Sequence, residues 1–582
     1  MNTPMARDGQ RLCSLYGGRA QGINRLLAAG LAAFALAAAA PDPGKPPLTG
    51  RTPLTGAAVA PEQAAVTFET ADLAFELFPD REQIEAQATL VFAAKAPVAR
   101  LVLDLDRNLP VRAVTIDGTA LSAGSWRNPD GRLVIDLPRP LRAGEQVTAR
   151  LAYGGTPHVA VRAPWDGGFV WAKTDSGKPW IATAVQGEGC DLFWPCVDYP
   201  TYEPKRVDLH ITVPAGLSAP SNGKLLGVDR LPDGRSRWNW SIANPNTYAI
   251  ALTVGPYREL KAVHRSRFGN DIPMHFWYLE GNDAKARRLF TEFAPIVDWF
   301  ERTIGPYPFA NEKMGVVETP HLGMEHQTIN AYGNEYKQGP EGFDWLLHHE
   351  FAHEWFGNQM SVFNWDDFWL HEGYGQYMQP LYGRSREGDG RYLAMMFAER
   401  SRFANNHPIV SGRARAANLV SDDATGPGGD IYFKAGWMLH TLRGLVGDDA
   451  FAEITRRAVY GRPDPKPGNF APRFTSTAEY RQIADQVSGR ELGWFFDAYL
   501  GNAALPELIE RRRGDTLSLE WRVGGGAAFP MPLEVSVDGR IERVAMTGGR
   551  GSLRVPAGAE VVVDPMARVL RRLPGERPAR AR

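Results

Sequence analysis

The sequence has little cysteine, no excess of either charge and no apolar run long enough to span a membrane. Its 582 residues include three cysteines, Cys13, Cys190 and Cys196, which are too few for a disulfide framework or a cysteine-based metal site. Lysine and arginine (65) balance aspartate and glutamate (66), so the basic excess expected of a nucleic-acid-binding protein is absent and we expect no nucleic-acid partner. The apolar run at 26–40 has about fifteen residues, whereas a membrane-spanning helix needs about twenty.

This apolar run is typical of a secretory signal sequence. Four basic residues precede it: Arg7, Arg11, Arg19 and Arg25. Small residues suited to cleavage end it at 38–40. We therefore predict a signal peptide over 1–40 and export to the periplasm or the medium, with no stable membrane span after its removal; an uncleaved anchor is the alternative. An exported chain permits a disulfide between Cys190 and Cys196, and two buried free thiols are the equal alternative.

The pattern of apolar residues divides the rest of the chain into several units. Proline and glycine are dense over 41–65, which indicates a mobile linker. Alternating apolar and polar residues predict an N-terminal all-β domain over 66–263, and a helical period then dominates 264–502. Alternation returns over 503–575, which predicts a small β-sandwich-like domain, and 576–582 is expected to be a disordered tail. The predicted fold class is multidomain α+β.

The segment 348–372, HHEFAHEWFGNQMSVFNWDDFWLHE, has the pattern of a metal site. His349, Glu350 and His353 form H-E-x-x-H, and residues four apart on a helix share one face, so both imidazoles can reach one ion. Catalytic zinc takes three protein ligands and keeps one position open. Glu372, at the start of what reads as a second helix, is the candidate third ligand. We predict one Zn²⁺ per chain, held by His349, His353 and Glu372, with Glu350 as the general base.

The motifs HEFAHEWFGN and WLHEG together resemble the gluzincin clan and, within it, the M1 family of zinc aminopeptidases. The resemblance implies a thermolysin-like, mainly helical catalytic domain over 264–502, in a three-domain form that lacks the large helical C-terminal domain of many members. It implies hydrolysis of the N-terminal peptide bond of peptides that have a free N-terminus. It also implies that Tyr432, which precedes Lys434 and Gly436 much as the family's catalytic tyrosine precedes K-G, stabilises the developing oxyanion.

Two further segments resemble the parts of the family that recognise the substrate's amino group. Gly323, Met324 and Glu325 match the centre of the G-x-M-E-N motif, whose first and last positions differ here. Gln186 and Glu188 match the family's Q-x-E segment. The resemblance implies that Glu325 and Glu188 bind the free α-amino group, because a buried ammonium needs an anionic partner.

Two other functions stay open at this point. The same zinc machinery would serve an endopeptidase, and the chain could also be a peptide-binding protein on an inactive peptidase scaffold. His348 lies about 100° around the helix from His349 and is expected to pack in the interior or behind the metal ligands. The sequence leaves open the roles of His326 and His371, the oligomeric state and the preferred N-terminal residue.

Overall fold

The structure, a computed structural model, describes residues 47–48 and 50–576. The predicted signal peptide at 1–40 and nearly all of the predicted tail lie outside the described residues. Among the described helices, none is both long enough and apolar enough to cross a bilayer.

The segment that precedes the first strand is packed against the protein, so the mobile linker predicted over 41–65 is wrong for its described C-terminal part. This part ends in the short helix α1 (Pro61–Ala64), and both Thr55 and Gln63 are buried. The Gln63 side-chain amide donates a hydrogen bond to Asp104 Oδ2 at 2.6 Å. Composition suggested flexibility, but polar side chains in the segment have buried partners that are distant in sequence.

The N-terminal part is built from β-strands. They are β1 (Val66–Phe78), β2 (Gln83–Ala94), β3 (Val98–Asp104), β4 (Val111–Ile116), β5 (Thr119–Ala120), β6 (Trp126–Arg127), β7 (Arg132–Leu141), β8 (Gln146–Gly155), β9 (Gly168–Lys173), β10 (Pro179–Ala184), β11 (Arg206–Val213), β12 (Lys224–Arg230), β13 (Ser236–Ala243) and β14 (Thr253–Val254). Eight of them form the main sheet in the order β12-β13-β11-β1-β2-β8-β4-β5, and two three-stranded sheets, β3-β7-β6 and β14-β10-β9, accompany it. Ile84, Leu90 and Phe92 of β2 are buried while their neighbours are more exposed, which is the alternation that predicted a strand there.

A second sheet begins the central part of the molecule. Its strands are β15 (Tyr257–Arg265), β16 (Asp271–Leu279), β17 (Met314–Glu318), β18 (Gly323–Met324) and β19 (Asn330–Tyr332), in the order β15-β16-β17-β19-β18. Every residue of β17 is buried, because it lies between two parallel neighbours. The predicted domain boundary after 263 falls inside β15. This strand pairs with β16 along its length, so it belongs with the central part.

Helices complete the central part. They are α2 (Asp283–Phe290), α3 (Phe293–Thr303), α4 (Trp345–His353), α5 (Trp369–Glu387), α6 (Asp389–Glu399), α7 (Ala417–Ser421), α8 (Phe433–Val446), α9 (Asp448–Tyr460), α10 (Thr477–Ser488) and α11 (Gly493–Tyr499), together with the short strands β20 (Met360–Val362) and β21 (Arg473–Thr475). The apolar period over 283–304 is divided between α2 and α3. Helix α5 packs against α4 on one side and against α8 on the other.

The C-terminal part consists of two three-stranded antiparallel sheets, as a β-sandwich-like domain predicts. Their strands are β22 (Glu507–Arg513), β23 (Thr516–Arg522), β24 (Leu533–Val537), β25 (Arg540–Val544), β26 (Arg550–Arg554) and β27 (Val561–Val563). The segment just before β22 is held to α8 by Lys434. The ammonium of Lys434 donates hydrogen bonds to the carbonyls of Asn502 at 2.9 Å and Ala503 at 2.7 Å.

Candidate active site

Helices α4 and α5 bring the three predicted metal ligands together. His349 and His353 lie one turn apart on α4, and Glu372 lies in the first turn of α5. The two imidazole Nε2 atoms are 3.1 Å apart. Glu372 Oε2 lies 3.5 Å from Nε2 of His349 and 3.4 Å from Nε2 of His353.

The spacing of these three atoms fits a tetrahedral zinc ion. Zinc bonds of about 2.0–2.1 Å at tetrahedral angles place neighbouring ligand atoms about 3.3–3.4 Å apart. Glu372 Oε2 is buried without a hydrogen bond from the described residues, and a cation at the centre of the triangle would satisfy it. The donor set therefore fits the metal that the motif predicts.

The orientation of the His353 ring is fixed by a backbone contact. Its Nδ1 lies 2.9 Å from the carbonyl oxygen of Phe356, which can only accept, so Nδ1 carries the proton. As a metal ligand, the ring with its proton on Nδ1 presents the lone pair of Nε2 on the side of Glu372 and His349. A hydrogen bond from the ring nitrogen that does not bind the metal is the usual means by which proteins orient a metal-binding histidine.

Two glycines allow the backbone to come close to the reactive side chains. A Cβ atom at Gly375 would lie 3.1 Å from Cε1 of His349 and 3.3 Å from Cε1 of His353. A Cβ atom at Gly323 would lie 2.3 Å from Glu350 Oε1. The first glycine lets α5 pack against the two rings, and the second leaves space for the carboxylate of Glu350.

Glu350 lies next to the metal donors and to a second buried carboxylate. Ligand atoms of Glu325, Glu350 and His353 are all within 4.8 Å of one another. Burial raises the pKa of Glu350 well above its usual value, and the positive charge of a bound metal would act in the opposite direction. A carboxylate at this position can accept a proton from a group that the metal acidifies.

Glu325 is held by two donors from the N-terminal β domain. Its Oε1 accepts hydrogen bonds from Gln186 Nε2 at 2.6 Å and from the Tyr248 hydroxyl at 3.0 Å. Gln186 Nε2 also lies 3.4 Å from Oε1 of Glu372, so this amide connects the two carboxylates. Met324 is buried beside Glu325.

Tyr248 was missed by the sequence reasoning. It lies in a single helical turn, Thr247–Ala249, of the β domain and belongs to no recognisable motif. Only the tertiary packing reveals its contact with Glu325, which is 77 positions further along the chain.

Glu188 is placed differently from Glu325. Its carboxylate is buried and accepts a hydrogen bond from the backbone N–H of Gly167. Burial raises the pKa of Glu188 to about 7. The structure therefore brings Gln186 of the Q-x-E segment to the metal centre through a direct contact and gives Glu188 a backbone partner.

The segment continues into a disulfide between Cys190 and Cys196, which resolves the alternative left open by the sequence.

Tyr432 lies immediately before α8 and faces the metal centre. Its ring centroid is 6.3 Å from that of His349. Burial and the negative charges of Glu372 and Glu325 raise the pKa of Tyr432 well above its usual value. The hydroxyl is therefore protonated and can donate a hydrogen bond.

The remaining histidines of this region are buried in the interior. His348 stacks on Tyr382 with a centroid distance of 4.8 Å, in agreement with the expected packing role. His371 is buried among aromatic rings, and His321 and His326 lie on either side of Glu325 with their rings 6.4 Å apart.

Comparisons with known proteins agree with this geometry. The family model for the peptidase family M1 domain matches residues 313–460, which contain the metal donors, Glu350 and Tyr432. Human aminopeptidase B is 26% identical over 342 residues, which cover 56% of this chain and 50% of aminopeptidase B. Leukotriene A-4 hydrolase of Xenopus laevis is 24% identical over 335 residues, which cover 55% of this chain and 51% of that protein. The chain thus spans about half the length of these relatives.

Solved structures of M1 zinc metallopeptidases are also similar to this chain. A mutant of the M1 zinc metallopeptidase from Deinococcus radiodurans, bound to a Tyr-Ser-Ala substrate, superposes with a TM-score of 0.63 at 25% identity, covering 75% of this chain and 94% of that one. A mutant two-domain M1 zinc metallopeptidase bound to L-arginine gives a TM-score of 0.62 at 25% identity, with 75% and 94% covered. The predicted fold class and the zinc cofactor are confirmed by these likenesses, and residues 313–460 match the domain of peptidase family M1.

Proposed function

We propose that this protein is a zinc-dependent aminopeptidase that hydrolyses the N-terminal peptide bond of peptides. The observation that carries the proposal is the buried carboxylate of Glu325, which lies beside the metal donors and is held by Gln186 and Tyr248. Both of these hydrogen bonds end on Oε1. The substrate's ammonium group is therefore expected at Oε2.

The distances favour a cut at the first peptide bond. The amino nitrogen and the carbonyl carbon of one residue are about 2.5 Å apart. Glu325 and the metal ligand His353 have ligand atoms within 4.8 Å of each other. An ammonium bound to Glu325 thus places the carbonyl of the same residue at the metal, and no second residue fits between them.

The metal and two side chains divide the chemistry among them. His349, His353 and Glu372 would hold the zinc ion, which would supply Lewis acidity to the scissile carbonyl and to a water molecule. Glu350 takes the proton of the attacking water and returns it to the leaving amine. Tyr432 donates its hydroxyl hydrogen to the oxygen on which negative charge develops.

The relatives support the same class of reaction. One of them is named aminopeptidase B, and one structural neighbour holds the short peptide Tyr-Ser-Ala as its substrate. We infer that this chain also acts on short peptides with a free N-terminus. The role predicted for Glu188 in binding the amino group stays part of the proposal.

The decisive experiment compares an aminoacyl fluorogenic substrate with its N-acetyl analogue. Acetylation removes the cation that Glu325 would pair with, and leaving a buried charge unpaired costs about 3–5 kcal/mol, a hundredfold or more in kcat/KM. Glu325→Gln should lower the activity on the free-amine substrate. It should therefore reduce the ratio of kcat/KM for the free-amine substrate to kcat/KM for the N-acetyl analogue. Comparable cleavage of both substrates by the unmodified protein would favour the endopeptidase, and full zinc without hydrolysis would favour the inactive scaffold.

We infer that the protein is exported to the periplasm or the medium. The predicted signal peptide at 1–40 and the disulfide between Cys190 and Cys196 both support this, because disulfides persist mainly in oxidising compartments. Fractionation of expressing cells with detection of the mature N-terminus tests it. Recovery of the full-length chain from the cytoplasm alone would contradict it.

A further inference from the structure

The segment 51–57, here called the N-terminal strap, connects two parts of the molecule. On one side the backbone N–H of Gly56 donates to the carbonyl of Asp198 in the β domain at 3.2 Å. On the other side the carbonyl of Thr55 accepts from the backbone N–H of Ala417 in the helical part, also at 3.2 Å. The strap thus lies across the junction between the two parts.

The strap rests directly on the indole of Trp365. Gly56 has φ +70°, and a Cβ atom there would lie 2.1 Å from Cδ1 and 2.3 Å from Nε1 of Trp365. No side chain can occupy that space without moving the ring, which is itself buried. The position of the strap backbone and the position of the indole therefore depend on each other.

Trp365 in turn packs against the residue that holds Glu325. The rings of Trp365 and Tyr248 meet edge to face, with centroids 5.4 Å apart. The Tyr248 hydroxyl donates to Glu325 Oε1 at 3.0 Å. A continuous series of contacts thus runs from Gly56 to the carboxylate proposed to bind the substrate's amino group.

We propose that the N-terminal strap positions this carboxylate. Gly56 fixes Trp365, Trp365 fixes the ring of Tyr248, and the Tyr248 hydroxyl fixes Glu325. Gly56, Trp365 and Tyr248 are positioning residues, because they act on the substrate only through Glu325. The inference rests on the proposed aminopeptidase function and adds to it a determinant that is nearly 270 positions from the carboxylate in sequence.

The first experiment compares Gly56→Ala with Gly177→Ala. Both glycines have positive φ, +70° and +77°, so alanine meets a similar backbone cost at each. An added Cβ at Gly177 would have nothing within 4 Å, whereas one at Gly56 would meet Trp365. Gly56→Ala should lower the ratio of kcat/KM for the free amine over the N-acetyl substrate at least tenfold, chiefly by raising KM for the free amine. Gly177→Ala should leave that ratio unchanged, and zinc content should stay at one per chain in both variants.

The second experiment uses Tyr248→Phe, which removes the hydroxyl and keeps the packing of the ring against Trp365. It should lower the same ratio at least tenfold, and it tests the proposal even if Gly56→Ala folds poorly. If the strap acts through Tyr248, the double variant Gly56→Ala, Tyr248→Phe should be no worse than Tyr248→Phe alone.

The outcomes separate this inference from the function on which it rests. If the unmodified protein cleaves both substrates equally, the proposed aminopeptidase function fails. The other case is that the unmodified protein prefers the free-amine substrate over its N-acetyl analogue. If Gly56→Ala and Tyr248→Phe then show the same preference as the unmodified protein, the positioning role is refuted and the function stands. If the two changes lower the ratio additively, the path from Gly56 through Tyr248 is refuted.

Discussion

Replacing Gly375 with alanine should weaken zinc binding while making the metal-free protein more stable. The added methyl would lie 3.1 Å from Cε1 of His349 and 3.3 Å from Cε1 of His353, whereas ordinary contacts are 3.4–4 Å. Both rings must therefore shift by a few tenths of an ångström. Disturbing the surroundings of metal ligands typically costs 10–100-fold in affinity, or about 1.4–2.8 kcal/mol. Alanine in the interior of a helix meanwhile stabilises it by about 0.5–1 kcal/mol over glycine.

Gly436→Ala is the matched control. Gly436 is also a buried glycine in a helix, α8, and its added methyl would have a nearest neighbour at 3.7 Å, which is an ordinary contact. Alanine at this position should raise the stability of the metal-free protein and leave the Kd for zinc unchanged. Competition with a chelator of known affinity gives the Kd, and thermal unfolding of the metal-free protein gives the stability. Equal zinc affinity in Gly375→Ala and Gly436→Ala would refute the reasoning, because the two helices would then tolerate the methyl equally.

Three further changes test the roles assigned to individual side chains. Glu350→Gln should keep one zinc per chain by elemental analysis and lose about 10²–10⁴-fold in kcat, because only the proton acceptor is removed; substantial turnover would contradict the assignment. Tyr432→Phe should lower kcat by the equivalent of about 2.7–4 kcal/mol with little change in KM, and a fall of less than about tenfold would mean that another donor stabilises the oxyanion. Lys434→Met should lower the free energy of unfolding in urea by about 1–3 kcal/mol, since the half-buried carbonyls of Asn502 and Ala503 lose their donor; an unchanged midpoint would show that water replaces the ammonium.

The metal donors could be predicted because their arrangement is local. His349 and His353 are one helical turn apart, and Glu372 needs only a reversal of the chain to reach them. The spacing alone indicates the chemistry, and the structure adds the triangle of distances. Alternation along β2 was equally readable, since one face of the strand is buried.

The hydrogen bonds around Glu325 could not be predicted, because they join distant parts of the chain. Tyr248 lies in an irregular turn of the β domain, and no periodic pattern marks it. Glu188 is a related case. Its motif suggested a contact with substrate, and the fold adds a hydrogen bond from the backbone of Gly167 that no sequence pattern indicates. Composition also misled over 50–65, the described end of the Pro- and Gly-rich segment, which is fixed by contacts such as that of Gln63 with Asp104.

The amide of Gln186 reaches across the junction of two domains to Glu325 and Glu372. The metal donors and the two side chains that hold Glu325, the carboxylate proposed to bind the amino group, therefore lie on different parts of the chain. On the proposed function, substitutions at Gln186 or Tyr248 would weaken the preference for a free N-terminus while every metal ligand stays in place. Such a protein would change from trimming peptides to cutting them internally without any substitution in its H-E-x-x-H helix.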